Sequence, residues 1–302
     1  MHLRRSIAVL LVVLGSTAKA GAQDLLPGAF VPAPVGFNVV TIATTVNHGD
    51  LTFDPSLPIE DGRASIQMLA LVVNRTLGIA GRSGSLGVTV PYVHGRADGV
   101  LLGEPVEATR SGFADLAIRA AVNLLGAPAM TPQQFAAYRQ ATILGLSVTV
   151  GMPTGQYDPS KRLNLGNNRW SIKPELGFSR TRGRWTLEGV AAATFFGDNT
   201  NFLNGGTLDQ TSIVAGQGHL IYTVRRGLWI AVDANFWGGG LVTRNGVADT
   251  RQQKNSRLGA TVALPVKRQQ LRIAYSYGAY TTIGGDYLSL GVSYSVAWAG
   301  RP

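Results

Sequence analysis

The stretch Tyr287–Trp298, YLSLGVSYSVAW, decides how the rest of the chain is read. Every second residue is large and apolar: Leu288, Leu290, Val292, Tyr294, Val296, Trp298. The residues between them, Ser289, Gly291, Ser293, Ser295 and Ala297, are small or polar. A period of two belongs to a β-strand whose faces meet different surroundings. The length is about that of a tilted strand crossing a bilayer, roughly 9–11 residues. Tyr294 and Trp298 sit toward one end, where amphipathic rings favour the membrane–water interface. A strand of a soluble sandwich would show the same alternation, so the other segments have to choose.

They repeat the pattern. Counting back from the last strand, eleven more segments read as strands: 36–48, 64–76, 84–92, 112–124, 141–152, 170–179, 184–196, 212–224, 228–237, 255–266 and 271–281. The clearest set Leu86, Val88, Val90 and Tyr92 against Ser85, Gly87 and Thr89, and Leu144, Leu146, Val148 and Val150 against Gly145, Ser147 and Thr149. The first two segments alternate less cleanly. The connections are sorted by parity. Short turns near residues 80, 182, 226 and 268 follow even-numbered strands, and longer polar loops follow odd-numbered ones; 126–139 is the exception, with a short helix expected in QQFAAYR. Long loops at one end and short turns at the other, on an even number of strands, are the pattern of an outer-membrane barrel. A β-sandwich has no reason to sort its loops in this way. The fold expected is all-β, a transmembrane antiparallel up-and-down barrel of about twelve strands.

Composition narrows the function. The chain of 302 residues has no cysteine, which removes disulfides, thiolate metal sites, cysteine nucleophiles and a lipid-anchored N-terminus. Charged residues make up 15% and no apolar run approaches 18 residues, so helical membrane spans are not expected. Net charge is +10, but lysine and arginine are scattered singly without a basic stripe, and no nucleic-acid partner is expected. Residues 1–22 read as a cleaved signal peptide: Arg4 and Arg5, an apolar core Ile7–Leu14, then small-x-small sites ending at Ala20 and Ala22. With cleavage after Ala22, residues 23–35 form a periplasmic lead-in, 36–298 the barrel, and 299–302 a short tail. The destination is the bacterial outer membrane; the partners expected are its lipid, the barrel-insertion machinery and a small-molecule solute.

If the apolar parity faces lipid, the other parity faces the lumen. It collects Asp115, Arg119, Lys173, Glu175, Glu188, His219, Asp233, Arg257 and Arg272, the pore-lining candidates. Two readings stay open. The charges line a selective passage, or they pair with one another and fill a plugged lumen, since unpaired charge in a confined space is costly. Lys173 and Glu188, on strands joined by the tight turn at Thr181–Gly183, are expected at similar depth and able to pair. The loop from Tyr157 to Arg169 either folds inward as a constriction, with Tyr157, Asp158, Asn164 and Arg169 as its candidates, or lies outside in solvent. Enzyme chemistry is not expected. The histidines after residue 22 are His48, His94 and His219; His48 and His94 have Asp50 and Asp98 close in sequence, as a hydrolase at the outer rim would need, but loop polarity explains them more simply, and His219 has lumen parity. No cofactor motif or metal-ligand spacing stands out, so neither cofactor nor metal is expected.

Four segments carry a resemblance: GMPTGQYDPSKRLNLGNNRWSIKPELGFSR (151–180), SGFADL (111–116), GHLIYTVRRGLW (218–229) and NSRLGATVALP (255–265). They resemble the family of MetA-pathway phenol-degradation proteins, most specifically around Tyr157-Asp158-Pro159 and Asn164-Leu165-Gly166. The resemblance implies an outer-membrane barrel acting as a transporter, in some members associated with aromatic degradation; it implies little about the ligand. The chain departs from the usual barrel ending in one respect: Trp298 is followed by Ala299-Gly300-Arg301-Pro302.

Overall fold

A computed structural model describes residues 27–50, 59–101, 104–161, 163–250, 252–282 and 286–300. The signal peptide, Gln23, the middle of the first long loop and the last two residues of the tail lie outside the described residues.

In chain order the elements are β1 (Phe37–Asp50), β2 (Ile59–Ile79), β3 (Arg82–Leu101), β4 (Glu104–Phe113), β5 (Ala117–Leu125), α1 (Pro132–Ala137), β6 (Thr142–Gly151), β7 (Ser171–Arg182), β8 (Trp185–Phe196), β9 (Asn199–Phe202), β10 (Gly206–Gln210), β11 (Ile213–Arg225), β12 (Leu228–Gly239), β13 (Val242–Arg244), β14 (Val247–Ala248), β15 (Gln253–Val266), β16 (Gln269–Tyr280) and β17 (Asp286–Ala299). The large sheet runs antiparallel from neighbour to neighbour and closes on itself where β1 pairs with β17, Phe37 opposite Ala299 through Asp50 opposite Asp286. β4 and β5 both pair with β3, one beyond the other, so together they form one stave interrupted at 114–116. The result is a closed barrel of twelve staves, as the alternation requires. Closure leaves no open edge in the barrel wall, the condition for placing strands in lipid.

The barrel is inside-out relative to a soluble domain. Its outer face is apolar: Leu69, Leu71 and Val73 of β2, Leu176 and Phe178 of β7, and Leu288, Leu290 and Val292 of β17 are all exposed. Its buried residues include many polar ones, among them Asn74, Ser147, Glu175, Glu188, Asp233 and Arg272. The blurred alternation of β1 has a simple cause. Phe37 and Val39 point inward, as Thr41 does, while Ile42 and Val46 point outward, so apolar residues fall on both faces.

Three connections differ from the sequence reading. Residues 93–111 are expected as a loop, yet β3 and β4 continue as a hairpin rising past the barrel wall, with Tyr92 opposite Phe113 and Asp98 opposite Glu107. Cross-strand pairing continues there although the lipid-facing alternation has ended, because ladder hydrogen bonds do not depend on side-chain polarity. The loops at 197–211 and 238–254 contribute a small second sheet, β14-β13-β10-β9. The helix in the 126–139 connection is present as α1. Thr131 caps it reciprocally with Gln134, and Pro132 sits at its first position.

Candidate transport pathway

All nine inward charged candidates are buried against the interior of the barrel. They fall into separate groups. Between β5, β6 and β7, Arg119 donates to Glu175 Oε2 at 3.3 Å and to Ser147 Oγ at 2.9 Å, Ser147 donates to Glu175 at 2.7 Å, and Lys173 Nζ lies 3.2 Å from Glu175 Oε1. Around β8, β11, β12 and β15 runs a second row. Register places His219 between Glu188 and Asp233; His219 Nδ1 is 2.8 Å from Asp233 Oδ1, and Thr261 donates to Asp233 Oδ2 at 2.6 Å. Nearer the other end, Arg257 donates to the Tyr287 carbonyl at 3.0 Å and to Ser276 at 2.8 Å, with its guanidinium 3.7 Å from the Tyr287 ring centroid.

The expected pairing of Lys173 with Glu188 does not occur. The β7–β8 hairpin sets Ser179 opposite Glu188 and Glu175 opposite Ala192, so Lys173 lies several residues farther from the turn. It pairs along its own strand with Glu175 instead. Glu188 accepts from Ser179 at 3.2 Å.

Glu188 also accepts, at 2.6 Å, the backbone N–H of Gly28. That bond introduces a feature the alternation could not disclose. Residues 27–36 precede β1 and fold into the end of the barrel that carries the short turns. Arg272 donates to the Pro27 carbonyl at 3.4 Å, Asn123 to the Phe30 carbonyl at 3.1 Å, and Gly36 N–H to Thr76 O at 2.9 Å. Phe30 lies over the facing pair Gly145 and Gly177 of β6 and β7. A Cβ at either glycine would stand about 2 Å from its ring, so only glycine leaves the slot open. The Arg119 guanidinium sits 5.2 Å from the centroid of the same ring. A cavity of about 30 Å³ remains beside the segment, between Phe30, Ala33, Val39, Asn74 and Asn123. In the sequence the signal was available as two inward glycines on neighbouring strands, but it points to a slot without naming what fills it.

The opposite end of the lumen is apolar. Ala64, Ile66 and Met68 of β2, Val93 and Ala97 of β3, and Ala114 pack with Leu163, Leu165, Phe202, Leu208 and Val242 from the loops. The segment 153–169 thus turns inward and presses Leu163 and Leu165 onto the inner wall. Asp115 holds it there, accepting from Gly155 N–H at 2.9 Å and Asn167 N–H at 2.8 Å. Of the loop candidates, Tyr157 donates to Asn201 O at 3.0 Å and accepts from Asn199 at 2.9 Å. Asn164 accepts from Asp158 N–H at 2.8 Å and donates back to its carbonyl. Hydrogen bonds from the Ser160 hydroxyl and amide hold the Asp158 carboxyl below the usual carboxylate range. Arg169 donates to Gln210 at 2.6 Å with its guanidinium 4.7 Å from the Phe196 ring centroid. Leu163 and Leu165, which pack against the inner wall, are absent from the sequence-derived candidates.

The model of the family described as "Putative MetA-pathway of phenol degradation" matches residues 44–296. The chain belongs to that family. Among solved structures it is similar to the COG4313 outer membrane channel from Pseudomonas putida F1, with a TM-score of 0.75 and 20% identity over 91% of this chain and 100% of that one. It is also similar, with TM-scores of 0.48 and 0.44, to the β-domain of the Bordetella autotransporter BrkA (13% identity, 87% of this chain and 100% of that one) and to a Pseudomonas aeruginosa FadL homologue (10% identity, 88% and 90%). No curated protein matches the chain. The likeness to the Pseudomonas putida channel establishes the shared barrel fold.

Proposed function

We propose that the barrel is an outer-membrane transporter passing small solutes, aromatic or other hydrophobic compounds among them, from the cell surface toward the periplasm. The observation that carries this reading is the division of the lumen. Its outer half is walled by Ala64, Ile66, Met68, Val93 and Ala97 and filled by loop side chains, Leu163 and Leu165, which can move without breaking the barrel ladder. An apolar chamber with a movable cover suits a ligand that gains free energy by leaving water, about 25 cal/mol per Å² buried. Below it, Arg119, Lys173, Glu175, Glu188, His219, Asp233 and Arg272 form the polar belt that such a solute passes once residues 27–36 move aside, with Asp115 and Arg257 nearer the outer end. Tyr157, Asp158, Asn164 and Arg169 tie down the loop that narrows the outer mouth. The chain carries no enzymatic role in this reading. Residues 1–22 are removed on export, 23–35 are the periplasmic lead-in, of which 27–35 close the lumen, 36–298 form the barrel, and 299–302 are a tail that the insertion machinery tolerates.

The competing reading, a structural or adhesive barrel with a permanently closed lumen, draws on the buried Arg119–Glu175–Lys173 and His219–Asp233 pairs. Uptake of radiolabelled aromatic acids and longer hydrophobic solutes by intact cells, with and without the gene, separates the two. Faster uptake of at least one class in expressing cells, together with conductance in planar bilayers that the same solute blocks, is the expected result. Equal uptake of every solute and no conductance would favour the closed barrel.

A further inference from the structure

The ends of the barrel differ in charge. Each of the four short turns, at 80–81, 183–184, 226–227 and 267–268, and the longer 126–141 connection at the same end, carries or adjoins a base: Arg82, Arg182, Arg226, Arg268 and Arg139. None of these connections contains an acid. The described acidic residues outside the lumen lie at the other end, for example Asp98, Glu107, Asp158, Asp198, Asp209 and Asp249. Short turns mark the periplasmic end of such a barrel.

The bases are densest on one patch of the outer wall. Arg180 and Arg182 continue the lipid-facing parity of Ile172, Leu176 and Phe178 along β7. In register, Arg182 stands opposite Trp185 of β8 and Trp185 opposite Tyr222 of β11; one row deeper, Arg180, Leu187 and Leu220 form the next line. The Trp185 and Tyr222 rings are in contact, with centroids 4.8 Å apart, and Arg184 donates to the Tyr222 hydroxyl at 3.4 Å. Trp185, Leu187 and Leu220 are exposed on the outer face. Among the described residues, no carboxylate forms an ion pair with Arg180, Arg182 or Arg184.

We propose that this patch binds the headgroup of an anionic phospholipid in the periplasmic leaflet. Leu187 and Leu220 meet the acyl chains, the Trp185–Tyr222 pair lies at headgroup level, and Arg180 and Arg182 extend to the phosphate, where a planar guanidinium presents two parallel N–H groups. Arginine on a lipid-facing parity is costly at the midplane and favourable only where it reaches an anion, which gives the placement its reason. The site lies on the outside of the wall and is independent of whatever passes through the lumen.

The test uses the mature chain refolded into nanodiscs of phosphatidylethanolamine with one quarter phosphatidylglycerol or cardiolipin, with bound lipid counted by native mass spectrometry. Anionic lipid is expected to be retained well above its bulk fraction. R180Q/R182Q/R184Q should lower the ratio of bound anionic to bound zwitterionic lipid more than ten-fold, since each arginine near an anionic surface contributes roughly five-fold to that ratio. R180K/R182K/R184K, which keeps the charge, should retain most of it, and R96Q at the far end should change nothing. Heat-modifiable gel mobility verifies that each variant is folded; if the triple glutamine variant does not fold, R182Q alone is used, with a loss of about five-fold expected. Unchanged retention in the folded glutamine variants, or no enrichment in the wild type, would overturn the proposal. So would displacement of the lipid by millimolar glycerol phosphate, which would identify a site for free phosphate, or by poly-glutamate, which would identify one for an acidic polymer.

Discussion

At the scale of single residues, parity along a strand assigns each side chain to lipid or lumen, and a one-residue error reverses the assignment. On β17, Leu290 and Val292 are exposed on the outer face, while Ser293 points inward and is half-buried. Leu290→Arg or Val292→Arg places a guanidinium near mid-bilayer at a cost of about 2–4 kcal/mol, whereas Ser293→Arg meets the polar interior. Folding yields into lipid vesicles, read by heat-modifiable mobility, should fall sharply for the first two and little for the third; equal yields would show the faces reversed. The same parity brought the nine charged candidates to the interior, but not their partners. Lys173 and Glu188 share a face, yet the turn at Gly183 sets Ser179 opposite Glu188, and Lys173 finds Glu175 two residues along its own strand.

At the scale of elements, residues 27–36 are held by Gly28 to Glu188, Pro27 to Arg272, Phe30 to Asn123 and to the Gly145–Gly177 slot, Val35 to Met130 and Gly36 to Thr76. Losing the Phe30 ring removes about 3–5 kcal/mol of packing. Phe30→Ala and Gly145→Val act from opposite sides of one contact, the first removing the ring and the second filling its slot. Both should raise single-channel conductance in planar bilayers well above the wild type while leaving barrel mobility on gels unchanged. Conductance that stays at the wild-type level in both would mean that this segment does not close the path. The loop from 153 to 169 is a second cover, fastened by the Asp115 carboxylate at the break between β4 and β5. The exposed Arg96–Glu107 pair on the β3–β4 hairpin contributes at most about 1 kcal/mol and fastens little.

At the scale of the whole molecule, an apolar exterior and a polar interior make the barrel insoluble as a free monomer and stable in a bilayer. Expressed in a Gram-negative host, the chain should sediment with the outer membrane, begin at Gln23, and resist extraction by carbonate. A soluble periplasmic pool with an intact first strand, or an N-terminus still carrying Arg4 and Arg5, would contradict that placement.

The amino-acid sequence by itself determined the barrel, its twelve staves, the sorting of long loops from short turns, and the inward face of every charged candidate. These follow from alternation and turn chemistry, which are local and repeat along the chain. The tertiary structure decided which inward charges meet, what lies over the Gly145–Gly177 slot, how far β3 and β4 rise above the wall, and that Leu163 and Leu165 cover the outer mouth. Each of those depends on the shear of the closed sheet or on contacts between residues far apart in the chain, such as Gly28 with Glu188. A period of two carries no information about which residue of another strand, or of the chain before β1, arrives at the same depth.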